Sequence, residues 1–363
     1  MRRFCFVFAL ATAILVCVGL AQQGAPAPAP TAGPYKVVKT AKVGGEGGFD
    51  YVYADVDGRR LYIPRNGNPG RVSVYNLDTF EPVGEIPANG GHGAAVDPKS
   101  GHGFASTRPV VMWDTKTLAT IKTIDVQGGP DGISFDAFNQ RVYIWSHSAP
   151  NATVINTVDG TIAGTIDVGG APEQAVSDGK GHIYVDVEDK ANVAAIDAKT
   201  MTVTAHYALG DSGSTPAGLA MDVKNRILFV ACRQPAPGVM VMMNADTGKI
   251  LGTAPLAGGS DGAVFNPDTL EAFSSSGNAR LTVIKEVSPT TFTVEQIVET
   301  MNGAKTSTFD GKTSHVVLIG AEQGPPPPAP PAGATPEPGR GGGRGGGRGQ
   351  MVPGSFTILA VGK

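Results

Sequence analysis

Cysteine is scarce in this chain, with three in 363 residues. Cys5 and Cys17 fall in a leader-like N-terminal segment, so its removal leaves Cys232 alone. That excludes an internal disulfide and a cysteine-based metal site. Cys232 follows the apolar run of residues 227–231 and reads as a buried, inert thiol. Catalytic signatures are missing too: the sequence has no Gly-x-Ser-x-Gly, His-Glu-x-x-His, P-loop, Cys-x-x-Cys-His or dinucleotide fingerprint. No long segment has a helical period. A basic surface is also lacking. Of 29 basic and 32 acidic residues, Arg2 and Arg3 lie in the leader, and Arg340, Arg344, Arg348 and Glu337 lie in a glycine-rich segment. The body therefore carries 24 basic and 31 acidic residues, a net charge of −7. Nucleic acid is unsuited as the main partner, because phosphate binding needs a basic face.

Residues 1–21 read as a secretory signal: Arg2 and Arg3 precede the apolar run 4–20, and small residues stand before Gln22. The protein is therefore expected outside the cytoplasm, periplasmic or secreted. A retained anchor is the alternative, although about 17 apolar residues is the low limit for a span. Bulky Val16 before Cys17 argues against lipid attachment. Residues 22–34 form an Ala/Pro-rich linker. Residues 324–354 carry four consecutive prolines and then Arg340, Arg344 and Arg348 spaced by glycines. Such a composition cannot order itself by burial and is expected to be a disordered loop. Three arginines supply little phosphate affinity, so an RNA-binding arm is set aside. A featureless insertion is favoured, followed by a weakly basic arm touching envelope polyanions or a partner.

Between these segments the chain repeats. A Gly-rich step, a short apolar run and an Asp or Asn recur at Asp55, Asp97, Asp136, Asp178, Asp222, Asn266 and Asp310, with spacings of 42, 39, 42, 44, 44 and 44 residues. A period in the low forties, repeated seven times, predicts an all-β, seven-bladed β-propeller with four-stranded blades. Second strands carry an aromatic at a fixed place: Tyr62, Phe104, Tyr143, Tyr184, Phe229 and Phe273, with Val317 in the last unit. Third strands end in Asn or Asp with a Thr nearby. The seventh unit runs out of chain after three strands, at residues 305–309, 315–319 and 355–361. The N-terminal strand at residues 35–43 is expected to complete it, which removes two sheet edges. The propeller thus spans residues 35–363, with 324–354 inserted in blade seven, and a monomer is expected.

The stretch 183–197, Ile-Tyr-Val-Asp-Val-Glu-Asp-Lys-Ala-Asn-Val-Ala-Ala-Ile-Asp, resembles the repeat of YVTN-type, YncE-like seven-bladed propellers. Residues 61–76 resemble it again. The likeness covers nearly the whole mature chain outside the Pro/Gly segments. It implies the fold and no activity, since the family shares no catalytic motif. The namesake tetrapeptide is itself altered: Ile-Pro-Arg follows Tyr62, and Ile-Trp-Ser follows Tyr143. Trp113-Asp114 falls where other blades have Tyr75-Asn76 or Ile196-Asp197, so its match to a WD repeat is coincidental.

Aligning the blades separates repeated positions from variable ones. The Asp and Asn turn residues repeat and read as caps of tight turns. Five residues earlier stand Asp50, His92, Asp131, Glu173, Ala217, Asp261 and Lys305. By the family architecture these ring one mouth of the central channel. Asp50, His92, Asp131, Glu173 and Asp261 suit a divalent metal, with oxygens fitting Ca, Mg or Mn and His92 admitting Zn. Lys305 pairing with an acid across a merely hydrated channel is the structural alternative. The loops after the second strands add Arg65, Arg108, His147 and Arg233, with Glu188 and Asp189 beside them. Such arginines orient a carboxylate or phosphate, or are simply solvated. The remaining histidines, His102, His182, His206 and His315, read as structural. The favoured function is a binding or scaffold module whose small polar ligand or envelope or protein partner sits at the channel mouth. The alternative is a metal-dependent, lactonase-like hydrolase using the mouth carboxylates. A likeness to the haem-binding propeller of nitrite reductases would make His92 an axial ligand, but no haem-attachment motif exists. No cofactor is required by the sequence.

Overall fold

The computed structural model describes residues 28–325 and 351–363. The leader, the start of the linker and most of the Pro/Gly/Arg segment lie outside the described residues. The rest is seven antiparallel four-stranded sheets arranged as a ring. Their innermost strands, Tyr53–Asp55, Gly91–Asp97, Pro130–Asp136, Pro172–Ser177, Ser214–Asp222, Ser260–Asn266 and Ser307–Asp310, define blades one to seven. Each innermost strand neighbours the next, and blade seven returns to blade one. Among the described residues the helical content is two three-residue 3₁₀ turns, Glu188–Lys190 and Gly210–Ser212.

Burial follows the position of each strand within its blade. Outermost strands alternate: Lys36–Lys42 and Thr202–Ala208 present every second residue to solvent. Second and third strands are covered on both faces by neighbouring blades, so they read as near-continuous apolar runs. The apolar core therefore lies in wedges between blades. Tyr143 and Trp145 of blade three, for example, pack on Ile183, Val185 and Val187 of blade four. The repeated aromatics are all buried. At about 1.5–3 kcal/mol per buried large apolar side chain, these wedges and not covalent links hold the ring. Cys232 is buried in the wedge between blades four and five, and burial pushes its thiol up to about 12.

Blade seven closes as the strand count requires. Its strands are Ser307–Asp310, His315–Gly320 and Thr357–Gly362, and Lys36–Lys42 pairs antiparallel with the last of these, Lys36 opposite Gly362. Blade seven therefore begins at Ser307, so Lys305 precedes the strand and does not open it. Asp50 likewise precedes its three-residue strand. A clasp secures the joint. The backbone of Tyr35 exchanges two hydrogen bonds with the Gln296 amide, at 2.9 and 2.7 Å, and its ring meets Phe273 edge-on. The Tyr35 hydroxyl and the Lys363 ammonium both donate to Glu271 of blade six.

Turn chemistry explains the repeated residues. The Asp97, Asp178, Asp222 and Asp310 carboxylates accept backbone N–H groups two residues on, at 2.8–3.1 Å. Four turn carboxylates also receive a bond from the following blade. Thr157 donates to Asp97, Ser177 to Asp136, Arg226 to Asp178, and Arg59 forks onto both oxygens of Asp310, at 2.6–2.8 Å. Third strands end on Asn76, Asp114, Asp197 and Asn244, each accepting the N–H three residues later, which in every case is a threonine's. His102 and His182 fit this scaffold, bonded to the Thr157 carbonyl and to Asp178.

Candidate functional site at the channel mouth

Innermost strands converge on the axis, so the residue after each variable position has little room. It is glycine in blades two, three, five and six. A Cβ on Gly132 would run into the Glu173 carbonyl oxygen, and one on Gly218 would stand 2.9 Å from Gly262. With the backbones this close, side chains one position earlier meet across the mouth.

They form one chain of ionisable groups. Asp131 lies 3.3 Å from His92 Nδ1, which lies 2.8 Å from Asp50 Oδ2. The other Asp50 oxygen accepts from Lys305 at 2.8 Å, and Lys305 also donates to Asp261. Asp261 is paired in turn with Arg233, whose second nitrogen lies 2.5 Å from Glu188. Glu188 Oε2 is 3.0 Å from His147 Nε2, and that nitrogen is 3.3 Å from Glu173 Oε1. Six of the seven variable positions are joined. The seventh, Ala217, is buried and offers no polar atom, and Arg233 from the second strand of the same blade supplies the link instead.

The electrostatics differ along this chain. Burial pushes Asp50 up, but the His92 hydrogen bond and the Lys305 charge outweigh it and hold the carboxyl at about 2. The hydrogen bond to Asp50 raises His92 against the opposing effect of burial, and Asp131 adds to the rise. At this end His92 stands between the carboxylates of Asp50 and Asp131. At the other end Glu173 is only 2% exposed. Its Oε2 accepts from the Tyr51 hydroxyl at 3.1 Å. Burial and the Glu173 charge push Tyr51 well above its usual range, keeping the phenol a donor.

Two of the remaining sequence candidates stand apart from this chain. Arg65 is fully buried and turned inward: it donates to the Glu46 and Gly47 carbonyls at 3.0–3.3 Å and lies 3.7 Å over the Phe356 ring. Burial lowers it to about 10. The segment before blade one has carbonyls without strand partners, and Arg65 satisfies them. Arg108 is exposed and outside the chain of charges. Asp189 accepts the Ala171 N–H at 2.7 Å and fixes the entry to blade four.

Three participants escaped the alignment. Tyr51 spans from blade one to Glu173 of blade four. Gln174 spans from blade four to the inner strands of blades five and six, accepting from Leu219 and Ala263 and donating to the Ala263 carbonyl, at 2.9–3.0 Å. Both sit in the column where four blades have glycine, and a comparison one residue further on would have marked them. Asp186 is fully buried: its Oδ1 accepts from the Gln174 N–H at 2.7 Å, and its Oδ2 has no hydrogen-bond partner. Burial, then Glu173, pushes its carboxyl well above the usual range. Among the described residues two clusters of atoms able to ligate a metal result, Asp50 with His92 and Asp131, and His147 with Glu173 and Glu188. Asp261, expected among the metal ligands, is instead committed to Lys305 and Arg233.

No family model matches this sequence, and no curated protein does either. Solved structures match in fold. The crystal structure of RRP9 WD40 repeats aligns with TM-score 0.69 and 10% identity over 93% of this chain and 100% of that one. A chain of the Mitotic Checkpoint Complex aligns at 0.67 and 10% identity, covering 88% and 95%. A chain of Kuenenia stuttgartiensis hydrazine synthase aligns at 0.63 and 15% identity, covering 75% and 92%. At these identities the likeness shows the seven-bladed propeller fold alone.

Proposed function

We propose that this chain is an exported, monomeric propeller of the YVTN type that acts as a binding or scaffold module, with a small polar ligand seated at the channel mouth. The observation that carries this reading is the chain of charges from Asp131 to Glu173, which draws on all seven blades. A structural ring needs repeated residues, and the turn end has them. The mouth instead carries five residue types in seven blades, and six of the seven positions lie within ion-pair reach of a neighbour. One residue further along, Tyr51 and Gln174 cross between blades. A few well-placed polar groups of this kind suit a polar ligand.

Two further readings have support. A propeller of this fold occurs in the Mitotic Checkpoint Complex, which favours a protein partner. The His147, Glu173 and Glu188 cluster favours a metal-dependent hydrolase. Thermal-shift screening of the mature protein against carboxylates, phosphates, amines and sugars tests the main reading. One class should raise the melting temperature, and Arg233→Ala and Asp261→Asn should each abolish the rise. No response in the wild type, or a response that survives both changes, would sink it.

A further inference from the structure

We propose that Asp222 and Glu286 share one proton and make the seam between blades five and six a pH-sensitive joint. The repeat locates it. One position in each blade donates its N–H to the carbonyl just before that blade's second strand. It is held by Leu77, Thr115, Thr157, Ala198, Ala245 and Glu286 in blades one to six. This position faces the turn aspartate of the preceding blade, as the bond from Thr157 to Asp97 shows. Among the six, only Glu286 is an acid. Blade six also departs from the repeat locally: its strand Asn278–Ser288 runs on through Glu286 and pairs with Thr291–Asn302.

Both acids are buried, each 1% exposed. Asp222 Oδ1 accepts the Lys224 and Asn225 N–H groups at 2.8 and 3.2 Å. Glu286 Oε1 accepts the Asn225 side-chain amide at 2.7 Å. Asn225 thus fixes one oxygen of each acid. The other two, Asp222 Oδ2 and Glu286 Oε2, are buried without a donor, although the two carboxyls stand within hydrogen-bond reach of each other. Ionised carboxylates are acceptors only, and burial disfavours two like charges side by side. One proton answers both difficulties, because it removes a charge and creates the missing O–H donor.

The charged groups around the pair leave that role to the proton. Lys285 acts on Glu286, but its ammonium donates to the Thr269 carbonyl. Arg226 is committed to Asp178 and Asp246, and Lys224 is exposed. Glu271, on the neighbouring second strand, is taken by Tyr35 and Lys363. Burial, helped by the Asp222 charge and hydrogen bond, outweighs Asn225 and Lys285 and pushes Glu286 from 4.5 up to about 7. A raised carboxyl stabilises the fold fully below 4.5 and ceases to do so as pH climbs through about 7. On the acid side the proton latches the two blades at their turn end. On the alkaline side two charges repel across the same seam.

Carbon-13 NMR titration of the Glu286 carboxyl in the mature wild-type protein reads the proton directly and should give a midpoint near 7. Urea unfolding between pH 4.5 and 8.5 reads the joint. Over that range the wild type's folding equilibrium constant should fall at least tenfold more than that of Glu286→Gln. The Gln amide is a permanent donor to Asp222, so this variant should be the more stable of the two at pH 8. Glu286→Ala, which installs the residue type of Ala198 and Ala245, should also lose the extra pH dependence and serves if Glu286→Gln fails to fold. A Glu286 midpoint at or below its ordinary 4.5, or parallel profiles for the wild type and either variant, overturns the proposal.

Discussion

The two ends of the innermost strands lie five residues, or about 16 Å, apart on the same backbone, yet their chemistry has diverged. At the turn end six aspartates and one asparagine repeat around the ring. They cap turns, and four of them also accept a bond from the following blade. At the mouth the same seven blades carry three aspartates, a glutamate, a histidine, a lysine and an alanine. Backbone geometry accounts for the contrast. A tight turn exposes N–H groups that every blade must satisfy, so each blade keeps the same acceptor. The mouth has no such obligation, and five residue types occur there. If so, damage at the turn end should cost stability, and damage at the mouth should cost recognition.

The closure of the ring at its turn end should give the largest effect. Deleting residues 35–43 removes the fourth strand of blade seven together with the Tyr35 clasp on Glu271 and Gln296. The expected outcome is loss of the cooperative melting transition followed by circular dichroism. An unchanged melting temperature would mean that the strand is an ornament. Next comes Arg226→Ala, which strips a 2.7 Å ion pair from the buried Asp178 carboxylate while its backbone donors remain. It should cost about 1–3 kcal/mol in urea unfolding. A loss below about 0.5 kcal/mol would show that the links between blades carry no weight.

A smaller effect, confined to acid, is expected at Glu271. Burial pushes its carboxyl up, but Glu295, Thr269, Tyr35 and Lys363 outweigh burial and hold it at about 2, below an ordinary value of 4.5. Because the folded value is depressed, its contribution is full above pH 4.5 and disappears as pH falls towards 2. Glu271→Gln should therefore flatten the stability profile in that window. If the variant and the wild type lose stability in parallel there, the clasp does not act through this carboxylate.

What could be read from sequence follows the same divide. The period, the blade count and the strand exchange at residues 35–43 were legible because each answers a backbone requirement that repeats. The mouth was legible as a column of variable residues, and so was the pairing of Lys305 with an acid across the channel, but the other pairings were not. Nothing local shows that Arg65 turns inward to the carbonyls of residues 46 and 47 while Arg233 turns outward to the acids. Both lie at the ends of second strands, and only the neighbouring loops decide. Asp186 was missed although it is the one carboxylate in a column otherwise made of Pro64, Ser106, Trp145, Ala231, Ser275 and Ile319. It sits on a second strand, where the aromatic two residues before it, Tyr184, marked the repeat.

The smallest stability effect belongs to the mouth itself, and it separates the two ends most sharply. Asp131→Asn keeps the shape of a side chain 15% exposed beside His92. Its stability cost should stay below about 1 kcal/mol. The change should instead be visible in His92, whose value is raised by Asp50, opposed by burial and raised further by Asp131. A raised imidazole stabilises the fold fully below its ordinary 6.5 and ceases to do so as pH climbs through the folded value. Removing the Asp131 charge should lower that folded value, so the stabilisation ends at a lower pH and its total shrinks. A titration of the His92 ring by NMR reads the shift directly. A downward move with near-native stability is the signature of a recognition end. A loss as large as that of Arg226→Ala would place Asp131 with the turn aspartates, as part of what holds the ring together.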